Sequence, residues 1–410
     1  MWEYICLGKS FAFLFLAIFL FLPYIHAMKI ITKEIRHDTP RESGLFRRIP
    51  GPKPIFIDIE TTGLSPERAR VYLVGCLHPL DDSRFQFLQW LSESPLEERK
   101  LLTEVSAYIQ DFSPLVHFNG DRFDLPFLQQ RADELGIPAA FTERDSFDIY
   151  LRAKKCRTLC ALPNCKQKTI ETFLGIHRED QYDGGRLIPV YHEYVKTGDA
   201  RLEHLLLLHN EEDVTGMLQL LPILSYAGLA DGNEMSIQIT EEAPSVIAGN
   251  DASELLLSFR LKEFYPSRVQ FQTAEGWYGI LQDHALRMRI PLMRGELRYY
   301  LPDPANYYYL PEEDTAIHKS VGEFVDKAYH RQATEKTCYI KKMGCFLPLP
   351  ENVERKSSGR SRKNLGNENF GKEIFYPDEK KTPYCEYQPE LLADADFWNW
   401  YLRGVFRKIR

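Results

Sequence analysis

The sequence has no internal repeat, which sets aside repeat and solenoid architectures. It has no cysteine framework either. The eight cysteines, Cys6, Cys76, Cys156, Cys160, Cys165, Cys338, Cys345 and Cys385, are mostly scattered through 410 residues, and a disulfide scaffold is not expected in a chain of that size. An excess of positive charge is also missing. The net charge of −7 argues against a protein that coats nucleic acid non-specifically, since such proteins are usually basic overall. Nor is the composition that of a disordered or fibrous chain. Apolar residues at 44% and charged residues at 27% are ordinary for a globular protein with a sizeable core. At roughly 100–200 residues per domain, the length predicts two or three domains.

The N-terminus stands apart from this ordinary composition. Residues 11–22 are almost entirely apolar, and Ala27 ends a signal-like cleavage pattern. The segment resembles a secretory h-region or a short anchor. Its n-region is weak, with Lys9 offset by Glu3, and Met28-Lys29-Ile30 reads as a start of its own. Residues 1–27 are therefore either signal-like or an over-extended gene start. A genuine leader implies a secreted or membrane-anchored protein. Without it the location is cytoplasmic, which the scattered cysteines favour.

Residues 28–53 are polar, with Pro40, Pro50 and Pro52, and read as a lead-in. The short apolar run at 55–59 suits a buried central strand. Residues 71–77 read as a second strand and 84–90, which alternate, as a third, so an antiparallel meander is predicted. Helical periodicity follows over 97–112, then a strand at 115–118, a helix over 124–135 closed by Gly136, and a strongly apolar helix over 202–221. Strands first, then strands alternating with helices, indicate an α/β or α+β domain with a mixed sheet, ending near Ser225. After residue 230 the runs at 268–272, 278–281 and 287–301 suggest a small antiparallel β unit. Residues 351–372 are rich in Ser, Gly, Asn, Lys and Arg and read as a flexible loop, and the stretch from Leu391 reads as a terminal amphipathic helix.

Acidic residues are placed where they carry chemistry. In a strand, Asp58 and Glu60 point to the same face. Two charges on one face of an apolar strand are costly unless they are paired or bound to metal; the alternative is a solvated edge strand. Asp124 opens a helix directly after a strand and the turn signal Asn119-Gly120, as a site residue or as a simple helix cap. His209 and Asp213 are four apart and share a helix face, so an imidazole stands one turn from a carboxylate. Hard cations such as Mg²⁺ and Mn²⁺ take carboxylate oxygens. Two of them about 4 Å apart both activate water and stabilise the leaving oxygen in phosphodiester cleavage.

Residues 56–63, Phe-Ile-Asp-Ile-Glu-Thr-Thr-Gly, resemble the first motif of the DEDD 3′–5′ exonucleases, which have the ribonuclease H-like fold. His117-Phe118-Asn119-Gly120 through Asp124 resembles the second motif, and His209 through Asp213 the third. Leu162-Pro163-Asn164-Cys165-Lys166-Gln167-Lys168-Thr169 and Leu174-Gly175-Ile176 are similar to a bacterial group of predicted ribonuclease H-like exonucleases. The resemblance covers residues 54–225. It implies that Asp58, Glu60, Asp124 and Asp213 bind two Mg²⁺ or Mn²⁺ ions, and that His209 stands where the DEDDy branch has tyrosine. The DEDDh branch places its histidine five residues before the last aspartate, whereas His209 is four before Asp213. Imidazole is the better base near neutral pH.

Other features compete for attention. Cys156, Cys160, Cys165 and His177 lack the paired spacing of zinc sites. The basic stretch Arg152, Lys154, Lys155, Arg157, Lys166 and Lys168 is either a phosphate contact or a solvated face. Asp148 is either an acid supporting the site or a helix cap. Tyr307-Tyr308-Tyr309 reads as β packing or as a base-stacking platform. Thr61, Asn119, Lys168 and Thr169 are the expected substrate contacts. The reading is thus an α/β protein: a ribonuclease H-like mixed sheet flanked by helices over 54–225, and a smaller β-rich C-terminal domain over 226–350. A flexible polar loop (351–382) and a C-terminal helix (383–410) complete it. The expected activity is two-metal 3′–5′ exonucleolytic hydrolysis of DNA or RNA at single-stranded ends, with no small-molecule cofactor. A structure-specific endonuclease of the same fold and a non-catalytic nucleic-acid-binding protein are the alternatives.

Overall fold

The computed structural model describes residues 28–36, 46–81, 83–178, 184–232, 239, 245–248, 253–350, 373–377 and 382–409. The apolar segment 1–27 and most of the polar stretch 351–382 lie outside the described residues. Among those described, no helix is long and apolar enough to cross a membrane. The chain divides into two compact units, Met1–Tyr150 with His177–Leu221, and Leu151–Ile176 with Pro222–Arg410.

The first unit is built on a six-stranded mixed sheet. Its strands are β1 (Lys29–Arg36), β2 (Ile55–Thr61), β3 (Val71–Pro79), β4 (Arg84–Leu91), β5 (Leu115–His117) and β6 (Ser146–Asp148), in the order β1-β4-β3-β2-β5-β6. β2, β3 and β4 form the antiparallel meander, while β5 and β6 run parallel to β2. β1 is a difference from the sequence reading, which took residues 28–53 as a lead-in. Its burial alternates along the strand: Lys29, Ile31, Lys33 and Ile35 lie on the half-buried side, where Lys29 pairs with Glu93 and Glu203 and Lys33 with Glu211, while Ile30, Thr32, Glu34 and Arg36 face outward, and charges on an edge strand discourage further pairing.

The helices of this part of the chain are α1 (Glu98–Ile109), α2 (Asp124–Glu134), α3 (Ile149–Lys155), α4 (Gln167–Leu174), α5 (Gly184–Thr197) and α6 (Ala200–Leu220). Ile57 and Ile59 share a buried cluster with Leu101, Leu102 and Val105 of α1 and with Leu125 and Leu128 of α2. By strand alternation Asp58 and Glu60 point to the other face, which α6 covers. α6 lies very close to that face at Gly75, the residue opposite Asp58 in the β2–β3 register. A Cβ there would stand 2.2 Å from Asn210 Oδ1 and 2.8 Å from Val214 Cγ2. Glycine at 75 lets the helix, and whatever it carries, settle onto the strand.

The second unit contains α3 from Leu151, α4, α7 (Ile223–Ala230) and the C-terminal helix α8 (Ala395–Arg407). Its β structure comprises a small closed barrel of strands Met293–Tyr300, Tyr339–Pro348, Tyr384–Glu386 and Phe375–Tyr376, and two three-stranded sheets. The pair Glu254–Gln272 and Tyr278–Pro291 forms a long ribbon. α8 buries Phe397, Trp398 and Tyr401. The Tyr401 hydroxyl accepts from the indole N–H of Trp277 (2.9 Å) and donates to the Pro348 carbonyl (2.7 Å), so its polar tip is satisfied inside the core.

Overpacking a close helix–strand contact costs about 1–3 kcal/mol. Gly75→Ala is therefore expected to destabilise the protein by that amount, read as a lowered midpoint in urea unfolding. An unchanged midpoint would mean that α6 does not press on β3 as described.

Candidate active site

Four carboxylates from three separate segments meet at the C-terminal end of β2. Asp58 and Glu60 come from the strand itself. Asp124 is the first residue of α2, where the turn after β5 delivers it. Asp213 comes from the middle of α6, one turn after His209. Glu60, Asp124 and His209 are buried, whereas Asp58 and Asp213 are partly exposed.

The turn that places Asp124 is locked from within. Asn119 adopts a left-handed conformation, φ 65°, which asparagine tolerates better than most residues. A Cβ on Gly120 would stand 2.6 Å from the His117 ring. The Gly120 N–H donates to His117 Nδ1 (3.0 Å), so that nitrogen carries no proton and Nε2 is left to donate to Ser146 Oγ (2.8 Å). Burial pushes the His117 pKa below its ordinary value, against Asp148 and Asp121, in keeping with this neutral ring. Asp148 Oδ1 accepts the backbone N–H groups of Asn119 and Tyr150, both at 2.9 Å. Asp148 therefore anchors the turn and the start of the following helix.

The four carboxylates are short of positive charge. Burial, then the facing carboxylates of Asp213, Asp124 and Glu60, push the Asp58 carboxyl well above the usual range, against the Asn210 amide that lowers it. Asp124 is pushed up to about 7, first by burial, although its own N–H and that of Ile59 donate to it; Asp148 and Asp213 add to the rise. His209 Nε2 reaches into the group, 3.2 Å from Asp213 Oδ2 and 3.4 Å from Glu60 Oε1. Ligand atoms of Glu60, His209 and Asp213 converge within 4.8 Å of one another. His117, Asp121 and Asp148 also converge, but the Gly120 N–H already occupies His117 Nδ1.

Three participants carry no mark in the sequence reading. Asn210 Nδ2 donates to Asp58 Oδ2 (3.0 Å), and Gln89 Nε2 donates to Asn210 Oδ1 and to the Leu207 carbonyl, both at 2.9 Å. Gln89 is a buried polar residue among apolar neighbours on β4, a signal that an internal partner exists. Arg178 Nη1 donates to Asp213 Oδ1 at 2.6 Å. Its place in a connection gave no periodicity to read.

The expected substrate contacts are engaged locally. Thr61 Oγ1 donates to the Gly63 carbonyl (2.8 Å), just after a bulge in β2. Asn119 forms the turn described above. Lys168 and Thr169 belong to the second unit on α4, where the Thr169 hydroxyl donates to Asn164 Oδ1 (2.7 Å). In that unit Cys156, Cys160 and Cys165 are buried free thiols. Burial and the neighbouring Cys156 thiol raise the Cys160 pKa. His177 is an exposed residue of the first unit.

Residues 55–225 match the family model described as RNase H superfamily. This part of the chain is a ribonuclease H-like domain. The match is consistent with the DEDD-type motifs and supports a nuclease. Among solved structures, this chain aligns with the family B DNA polymerase from Pyrobaculum calidifontis at 14% identity and TM-score 0.35, covering 64% of this chain and 39% of that one. A product-bound exonuclease I aligns at 12% identity and TM-score 0.26, covering 51% of this chain and 59% of that one. The zinc-bound form of the E. coli exonuclease I complex with single-stranded DNA gives 14%, 0.25, 51% and 54%. This chain thus spans less than two thirds of each of those three. A comparison with curated proteins finds no match.

A buried carboxyl whose folded pKa exceeds its unfolded value, about 3.9 for aspartate, contributes stability below the unfolded pKa. That contribution is lost as pH rises through the folded value. For Asp124 the window runs from about 4 to about 7. In EDTA the melting temperature should therefore fall across this window, and Asp124→Asn should flatten the fall and leave the variant the more stable at pH 8. Parallel profiles for the two proteins would contradict the electrostatics described.

Proposed function

We propose that this protein is a metal-dependent nuclease that hydrolyses phosphodiester bonds in DNA or RNA, working as a 3′–5′ exonuclease on single-stranded ends. The observation that carries the reading is the convergence of Asp58, Glu60, Asp124 and Asp213 around His209. The like-charged, oxygen-rich donor set fits hard divalent cations, and the raised Asp58 and Asp124 carboxyls mark negative charge that a cation would offset. Asp58, Glu60, Asp124 and Asp213 would hold two Mg²⁺ or Mn²⁺ ions, which supply charge stabilisation at the attacking and leaving oxygens.

The chain's own residues have the remaining work. His209 Nε2, held beside Asp213 and Glu60, orients the attacking water or takes its proton. Asn210 fixes the orientation of Asp58, and Gln89 fixes Asn210. The water oxygen joins phosphorus, the P–O3′ bond breaks, and the 3′ oxygen leaves as a hydroxyl with a proton. A nucleoside 5′-monophosphate is the product. The 3′–5′ polarity rests on the resemblance of the three motifs to those of the DEDD 3′–5′ exonucleases. We place the protein in the cytoplasm, a reading supported by the free thiols of the described cysteines, which suit a reducing compartment.

The test is cleavage of 5′-labelled single-stranded DNA and RNA, with a closed circular strand as control, in Mg²⁺ or Mn²⁺. A ladder of progressively shortened 5′-labelled strands from the linear substrate, with the circle left intact, is expected. Asp58→Ala, Asp213→Asn and His209→Ala should each slow it at least about 100-fold, since each tenfold is only ~1.4 kcal/mol of transition-state stabilisation. Cutting of the circle would point to an endonuclease. Metal-independent binding without cleavage would point to a binding protein.

A further inference from the structure

The pairing of Arg178 with Asp213 conflicts with the role proposed for Asp213. The Arg178 side chain is only 9% exposed and its guanidinium donates to Oδ1 at 2.6 Å, while the other oxygen, Oδ2, lies 3.2 Å from His209 Nε2. Arginine cannot be deprotonated in a protein, so this positive charge is permanent. A divalent cation on Asp213 would stand within about 4 Å of the guanidinium, and the repulsion between the two positive charges sets them in competition for that carboxylate.

Charge and shape indicate where the guanidinium turns. Two divalent cations cancel the four carboxylates, and Arg178 then leaves one positive charge at the site. A phosphodiester carries one negative charge. The planar fork of arginine donors also matches two phosphate oxygens, which the point charge of lysine does not.

We propose that Arg178 is a phosphate-binding residue of this site, held on Asp213 in the metal-free protein and released to the substrate phosphate when a divalent cation takes that carboxylate. The proposal rests on the nuclease reading above. Arg178 is then a competitor for the cation and a ligand for the nucleotide, and removing it should move the two affinities in opposite directions. A purely structural ion pair tying down the segment before α5 has no such signature.

The experiment is calorimetric titration of the full chain with Mn²⁺ alone, then with thymidine 5′-monophosphate at saturating Mn²⁺. Arg178→Gln should tighten Mn²⁺ by about threefold or more as the competing charge is lost, and weaken the mononucleotide about tenfold as the bidentate contact is lost. Arg178→Lys should hold Mn²⁺ within about twofold of wild type, because the charge remains, yet still weaken the mononucleotide. The lysine variant carries the test if the glutamine variant does not fold. Unchanged or weaker Mn²⁺ binding by Arg178→Gln, or undiminished mononucleotide binding by either variant, overturns the role of Arg178 while wild-type Mn²⁺ binding leaves the carboxylate site standing. No Mn²⁺ binding by wild type overturns both.

Discussion

Mutual repulsion among Asp58, Glu60, Asp124 and Asp213 is the constraint around which the first unit is arranged. Four like charges gathered at the end of a central strand oppose folding unless neutralised, protonated or compensated. The second and third routes are both visible here. The Asp58 and Asp124 carboxyls are pushed towards their neutral forms. The Asn210 amide, the Ile59 N–H and the Arg178 guanidinium meet oxygens of the group. A site that is costly when empty is one that gains from binding cations.

These compensations depend on one contact between helix and sheet. α6 carries His209, Asn210 and Asp213 within five residues, and it settles onto the sheet where Gly75 offers no side chain. That approach brings Asn210 between Asp58 and Gln89. The same helix therefore delivers a candidate ligand, a candidate base and the amide that orients another candidate ligand. On the opposite side of β2 the turn from β5 delivers Asp124, and its geometry depends on a neutral His117 receiving the Gly120 N–H. Two rigid deliveries, one by helix packing and one by a locked turn, converge on a single strand end.

What was legible in the sequence was local. Strand alternation placed Asp58 and Glu60 on one face, and helical periodicity placed His209 over Asp213. The order of strands and helices led to the mixed sheet and to the β-rich C-terminal part. Contacts across long separations were not legible. Asn210 meets Asp58 across 152 positions and Gln89 across 121, and neither residue type announces its partner. Arg178 lies outside any periodic element, so its pairing is visible only in three dimensions. The strand at Lys29–Arg36 was hidden for a different reason. An edge strand buries only one weak stripe, and the charged residues Lys29, Lys33, Glu34 and Arg36 resemble a polar lead-in. In the second unit, Tyr309 is buried and donates to Asp314 (2.5 Å), while Tyr308 lies tilted against His330 with ring centroids 4.2 Å apart. Tyr309 thus serves packing, whereas Tyr307 and Tyr308 are half-buried.

The central claim is that the four carboxylates exist to hold divalent cations. Anomalous diffraction from crystals of the protein soaked in Mn²⁺ tests this most directly. The account predicts two peaks about 4 Å apart, bounded by Asp58, Glu60, Asp124 and Asp213, with the Arg178 guanidinium moved away from Asp213 Oδ1. Well-measured data with no peak among these carboxylates, and with Arg178 still on Asp213, would contradict it.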